Sequence, residues 1–197
     1  MNTARIISEL RQGNLVITPT DTVYGILADA TIPDIAAKVS AAKRRDQRKP
    51  LLLLMNDPGM VHAYTSKLNP LEEGLVQNFL PGPLTILLPR NDQIFDQITA
   101  GSPLVGVRIP DHAELLEIIR EVRHPLVSTS ANLAGEPPIT NPSQISPALL
   151  EHIAYVEDAG TISSTPSTLV KAEGDKLKIL RSGSLAAQLL DRYPATN

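Results

Sequence analysis

KRRDQRKP, residues 43–50, stands where one periodicity gives way to another. Before it, Pro33 to Arg44 carries Ile35, Ala36, Val39 and Ala42 on one helical face, with a proline in the first turn, where helices tolerate it. After it, Leu51 to Met55 is an unbroken apolar run of strand length. A helix handing over to a buried strand within a few residues marks a mixed α/β or α+β architecture. Five of the eight residues are basic, in a chain of formal net charge −3. Two readings stand: the cations complement the end of a helix in solvent, or they hold an anion. Lys43 and Arg45, two apart, share no helix face. They can converge on one ligand only where the helix has unwound, and Pro50 disfavours helix at its predecessor.

Upstream, the first residues form an amphipathic helix with Ile6, Ile7 and Leu10 on one face, stopping near Gly13 and Asn14. Leu15 to Thr18 reads as a buried strand ended by Pro19. Thr20, Asp21, Thr22, Tyr24 and Gly25 then make a polar loop. Open α/β sheets place ligands at such strand ends. The same residues equally suit a turn that caps its own backbone.

Downstream, helices are expected over Met60–Tyr64, Pro70–Phe79 and Asp111–Arg123, the last capped by Asp111. Strands are expected over Leu84–Leu88 and Leu104–Ile109, with an irregular loop from Asn91 to Ser102 between them. Arg108 lies inside the second apolar run and needs a partner, structural or ligand. A strand from Leu126 runs into STSAN, residues 128–132, and alternation puts Ser128, Ser130 and Asn132 on one face. Asn141-Pro142-Ser143 starts a helix to about Ile153, Ala154–Glu157 is a strand, and Gly160–Pro166 a loop. Ser167–Val170 and Lys178–Arg181 form a closing strand pair, and Ser184 caps a last helix. The expected fold is an α/β (α+β) single domain over residues 1–197, on a twisted mixed sheet with flanking helices.

Composition narrows function. The 197 residues are 42% hydrophobic, enough for a substantial core, but only 3% aromatic with no tryptophan, so few rings are present to stack on bases. A net acidic chain is no general nucleic-acid coat, though a local patch can grip a backbone. The absence of cysteine removes disulfides, a thiolate nucleophile and Cys-based zinc sites. His62, His112, His124 and His152 lack ligand spacing, so no protein-built metal site is expected. No apolar run approaches membrane-spanning length and the first residues are no signal peptide, which points to the cytoplasm. Neither G-x-x-x-x-G-K-[ST] nor G-x-G-x-x-G occurs. An anion site must then be built from Lys43, Arg45, Arg108 and the STSAN row.

In order, PTDTVYG at 19–25, the K-x-R of Lys43 and Arg45, VRIP at 107–110 and STSAN at 128–132 resemble the YrdC-like family of threonylcarbamoyl-AMP synthases. PST at 166–168 and ILR at 179–181 are similar to its closing strands, and the length to its short form, which lacks an added C-terminal domain. The resemblance implies a nucleotidyltransferase joining L-threonine, bicarbonate and ATP into threonylcarbamoyl-AMP and pyrophosphate, with Mg²⁺ carried by ATP. Downstream tRNA threonylcarbamoyl-transfer proteins would receive the product. It implies that Lys43, Arg45, Ser130 and Asn132 line one cavity and that Thr20 and Arg108 meet the threonine or carboxylate end. Tyr24 would sit beside nucleotide or threonine, and Ser167 and Arg181 would hold phosphate or ribose. No side-chain nucleophile is nominated. The family often has proline where Asp46 stands, and long-form members carry a histidine where Leu54 stands. Two alternatives stay open: an RNA-binding or ribosome-maturation factor gripping tRNA or double-stranded RNA, and a synthase of another carbamoyl adenylate.

Overall fold

A computed structural model describes residues 1–162 and 165–194. The loop expected over 160–166 therefore lies partly outside the described residues, as does the end of the expected domain.

Helix α1 (Thr3–Arg11) leads through Gly13, at φ +74°, into β1 (Leu15–Thr18). The polar loop that follows returns antiparallel as β2 (Gly25–Asp29), a strand beyond those expected from the sequence. Its five residues are all buried, so no polar alternation announces it. Helix α2 (Ile35–Ala42) is shorter than expected at both ends, because Asp34 is left-handed at φ +58° and Arg44 at φ +49°. The basic stretch then delivers β3 (Leu52–Leu54). Next come α3 (Pro58–Tyr64), α4 (Pro70–Phe79) with an Asn69/Glu72 capping box, and β4 (Leu84–Pro89).

The loop expected from Asn91 to Ser102 contains one helical turn, α5 (Asp96–Thr99), before β5 (Leu104–Arg108). Helix α6 (Ala113–Val122) has His112, not Asp111, at its N-cap position, and the Asp111 N–H instead donates to Asp21 Oδ2 at 3.2 Å. After β6 (Leu126–Ser130), the helix expected over 141–153 is divided. A 3-10 turn (Pro142–Gln144) stops at extended Ile145 and Ser146, and α7 (Pro147–Leu150) restarts at a proline. Ser146 precedes that proline, and a pre-proline residue is pushed to extended backbone. The chain closes with β7 (Ile153–Val156), β8 (Thr168–Glu173), β9 (Lys176–Arg181) and α8 (Ala186–Arg192), whose N-cap position is Leu185 rather than Ser184.

The nine strands form one mixed sheet in the order β7-β1-β2-β6-β3-β5-β4-β8-β9. Alternation sends neighbouring side chains to opposite faces. Leu53, Ile86, Val107 and Val127 join Ile35 and Val39 of α2, Val61 of α3 and Val76 of α4 in the larger core. Val16, Leu27, Leu54 and Leu126 meet Ile6 and Leu10 of α1 and Leu115 and Ile119 of α6 in the smaller one. Helices α1 and α6 cover only part of that second face. The remainder of it forms the cavity described next.

Candidate active site

The uncovered part of the sheet floors a cavity of about 490 Å³. Register explains its composition. Leu52 of β3 pairs with Ser128 of β6 and with Gly106 of β5, and Gly106 pairs with Leu87 of β4, so these four side-chain positions form one row on one face. Leu54, Leu104 and Leu169 complete an aliphatic floor. At Gly106 a Cβ would stand 3.3 Å from Leu52 Cβ and 3.5 Å from Thr85 Cγ2, so glycine there keeps the floor low.

Three cationic corners rise around this floor. The first belongs to the basic stretch. Its helix ends in a Schellman arrangement: the Arg44 N–H donates to Ala41 O and the Arg45 N–H to Ser40 O, with Arg44 left-handed where glycine is usual. That reversal sends Arg45 into the cavity wall, where it donates to Thr129 Oγ1 (3.3 Å) and Pro50 O (3.0 Å). Its Nε is buried without a hydrogen-bond partner. Asp46 is taken by Arg48 at 2.7 Å. Those hydrogen bonds hold the Asp46 carboxyl down at about 2. Among the described residues, no carboxylate lies in ion-pair range of Arg45 or of its exposed neighbour Lys49, which also lines the cavity.

The second corner is Arg108, 5% exposed. It donates from Nε to Gly82 O (3.1 Å) and from Nη1 to Thr22 Oγ1 (2.8 Å), and pairs with Asp21 Oδ2 at 2.5 Å. Burial lowers its pKa and Asp21 works the other way. A guanidinium stays charged in either case. The third corner is Arg181, which donates from Nε to Ser167 O (3.1 Å) and from Nη2 to Ser167 Oγ (3.0 Å); Ser167 Oγ meets Thr85 Oγ1 at 2.7 Å. The chain after β9 passes close beneath this corner. A Cβ on Gly183 would fall 2.5 Å from Pro166 O, so only glycine fits.

Of the ten residues singled out from sequence, seven line the cavity: Thr20, Arg45, Arg108, Ser128, Ser130, Ser167 and Arg181. Thr20 satisfies both readings of its loop, since its Oγ1 also accepts from the Thr22 and Val23 N–H groups. Three lie elsewhere. Tyr24 is fully buried; its hydroxyl donates to Gly160 O (2.9 Å) and accepts from the Ala159 N–H (3.0 Å). Asn132 departs from the expected row because β6 ends at Ser130 and the Asn132 N–H folds back onto Ser130 O. Lys43, 2% exposed, points beneath that bend, and burial pushes its pKa down to about 8. Lys49, Thr85 and Thr129 line the cavity without having been singled out. Alternation along β4 signals Thr85; nothing local signals Thr129, which alternation places on the face opposite Ser128 and Ser130, where it accepts from Arg45.

A mixed sheet with one face part-open, floored by leucines and ringed by guanidinium groups and hydroxyls, defines a small-molecule site suited to anionic substrates. Residues 8–183 match the Sua5/YciO/YrdC family model, described as telomere recombination, and the chain belongs to this family. A protein of Methanocaldococcus jannaschii is 38% identical over 93% of this chain and 86% of its own length. The threonylcarbamoyl-AMP synthase of Bacillus subtilis is 33% identical over 95% of this chain and 55% of its own. These synthases are transferase enzymes. The structure of Pyrococcus abyssi Sua5 complexed with L-threonine superposes with a TM-score of 0.89 at 26% identity, over 98% of this chain and 58% of that one. Escherichia coli YciO, at 18% identity and a TM-score of 0.83, shares the fold. The chain thus spans little more than half of the B. subtilis and P. abyssi proteins. Among the described residues, no helix is long and apolar enough to cross a membrane, and no group of three acidic, His or Cys side chains is placed to hold a metal ion.

Proposed function

We propose that the protein is an L-threonylcarbamoyladenylate synthase, acting as one domain over residues 1–197 in the cytoplasm. One observation carries this reading beyond family membership. Arg45, Lys49 and Arg181 face a shared cavity, and among the described residues no carboxylate neutralises them. Such a site favours bringing two anions together. The threonine amine bonds to the carbon of bicarbonate, whose C–OH bond breaks as water leaves, or to the carbon of CO₂ with release of a proton to solvent, giving an N-carboxylate. One oxygen of that carboxylate attacks the α-phosphorus of ATP, the bond to the β-phosphate breaks, and pyrophosphate leaves.

No nucleophilic side chain is needed. Fixed positive charge and hydroxyl donors stabilise the charge spread over the phosphoryl oxygens. Arg45 and Ser130 serve at one wall, and Arg181 with Ser167 and Thr85 at the other. Arg108, already paired with Asp21, holds Thr22, which meets Thr20 at 3.0 Å, beside the threonine end. Among the described residues no carboxylate lines the cavity, and Asp21 Oδ2 is paired with Arg108, so Mg²⁺ would arrive bound to the ATP phosphates and stay largely hydrated.

The product goes on to proteins that transfer threonylcarbamoyl to tRNA, and exposed Arg44 and Lys49 at the rim suit contact with an RNA backbone. Purified protein should release pyrophosphate from ATP only when threonine and bicarbonate are both supplied. Release with carbamoyl phosphate in their place would assign a different carbamoyl adenylate. Steeply salt-dependent RNA binding without any turnover would leave an RNA-binding factor.

A further inference from the structure

Lys43 is the first residue of the basic stretch, yet it does not line the cavity. Its ammonium is used up inside the protein. Nζ donates to the carbonyl oxygens of Ser130 and Asn132, each at 2.5 Å, and lies 3.5 Å from Asn132 Oδ1. Three donors therefore meet three oxygens, the full capacity of an ammonium group. The backbone of the same residue closes the contact from the other side, since Lys43 O accepts from the Ala134 N–H at 2.9 Å. Asn132 completes the bend by donating from Nδ2 to Leu133 O (2.9 Å) and Glu136 O (2.7 Å). The carbonyls of Ser130 and Asn132 converge where β6 ends, and two such dipoles side by side repel unless a donor sits between them.

We infer that Lys43 is a positioning residue for the proposed reaction: without touching substrate, it fixes the end of β6 so that Thr129 holds Arg45 and Ser130 faces the cavity. The Schellman turn makes this division possible. Lys43 stays on the helix side of left-handed Arg44 and reaches under β6, while Arg45, past the reversal, enters the cavity wall. The K-x-R spacing is thus one internal cation and one ligand-facing cation, separated by a chain reversal. Asn132 belongs with Lys43 in this division, and Ser130 with Arg45.

The inference rests on the synthase reading, and the test separates the two. If wild-type protein releases no pyrophosphate with threonine, bicarbonate and ATP, the synthase reading fails. Two measurements made without turnover still test Lys43: calorimetric ATP binding, and hydrogen exchange of the amides from Ala131 to Ala134. Lys43→Met should keep ATP affinity within about threefold, whereas Arg45→Met should lose about tenfold or more, the difference expected when only one of them contacts an anion. Lys43→Met should also exchange the 131–134 amides faster and lower kcat by about thirtyfold or more. Where Lys43→Met does not fold, Lys43→Gln, which keeps N–H donors without charge, takes its place for the ATP-affinity comparison with Arg45→Met, under the same threefold and tenfold criteria. ATP affinity lost as fully as in Arg45→Met, in a folded variant, overturns the inference because Lys43 then touches phosphate. Unchanged kcat and unchanged exchange also overturn it.

Discussion

Leu52 and Leu53 are neighbours in β3 and face opposite sides of one sheet. Leu53 is fully buried among aliphatic side chains of the larger core. Leu52 lies half-buried on the cavity floor, between Ser128 and Gly106. The same contrast runs along β5, where Val107 packs into the core and Gly106 and Arg108 face the cavity. One face is sealed by helices and is built for stability. The other leaves space where a helix could have packed, and puts there the residues a strand tolerates poorly: a glycine, a buried arginine and a row of serines. Stability and chemistry are therefore separated by the two-residue period of the strand rather than by distance along the chain.

That separation can be broken most directly from the cavity side. Arg45→Ala should lower pyrophosphate release by about 10²–10³-fold, as removing a preorganised charge-stabilising donor does, while a thermal melt stays close to wild type. On the sealed face the effects should reverse. Leu53→Ala removes a fully buried side chain and should cost about 2–5 kcal/mol in a denaturant titration, with turnover per folded molecule retained. A third variant sharpens the boundary. Gly106→Val adds bulk against Leu52 and Thr85 within the cavity, and should raise the KM for ATP about tenfold or more with little loss of stability. Comparable losses in both measurements for all three variants would mean the two faces are not independent.

Titration gives a smaller effect. The folded pKa of Lys43, about 8, lies below its ordinary value of 10.5, so the charged form is the one folding penalises. That penalty is complete below about pH 8 and fades as pH rises toward 10.5. The stability of wild type relative to Lys43→Met should therefore increase with pH across that window, read as a difference in melting temperature. Smallest of all, Asp46→Asn should change turnover by less than about twofold, because the Asp46–Arg48 pair is exposed and screened.

Much of this was legible from residues alone. The strand and helix identities of Leu15–Thr18, Pro70–Phe79, Leu104–Arg108 and Leu126–Ser130 follow from apolar runs and helical periodicity, which are local. β2 was not legible, because a strand buried on both faces shows no alternation. The helix expected over 141–153 is divided, because Pro147 holds Ser146 extended within a pattern that otherwise continues.

The sequence by itself determined that cations gather where α2 hands over to β3, that an arginine sits in an apolar strand, and that small hydroxyl residues end another. Those are properties of residue type and local period. Which cation meets the ligand was decided only by the tertiary structure. Arg44 adopts a left-handed turn that no propensity favours, and Ser130 and Asn132, 87 and 89 residues further on, bring their carbonyls beneath Lys43. A carbonyl carries no side-chain signature, so the partner of a buried lysine is invisible until strand register places it. KRRDQRKP therefore announces a site, and the register of β6 against β2 and β3 apportions its charges.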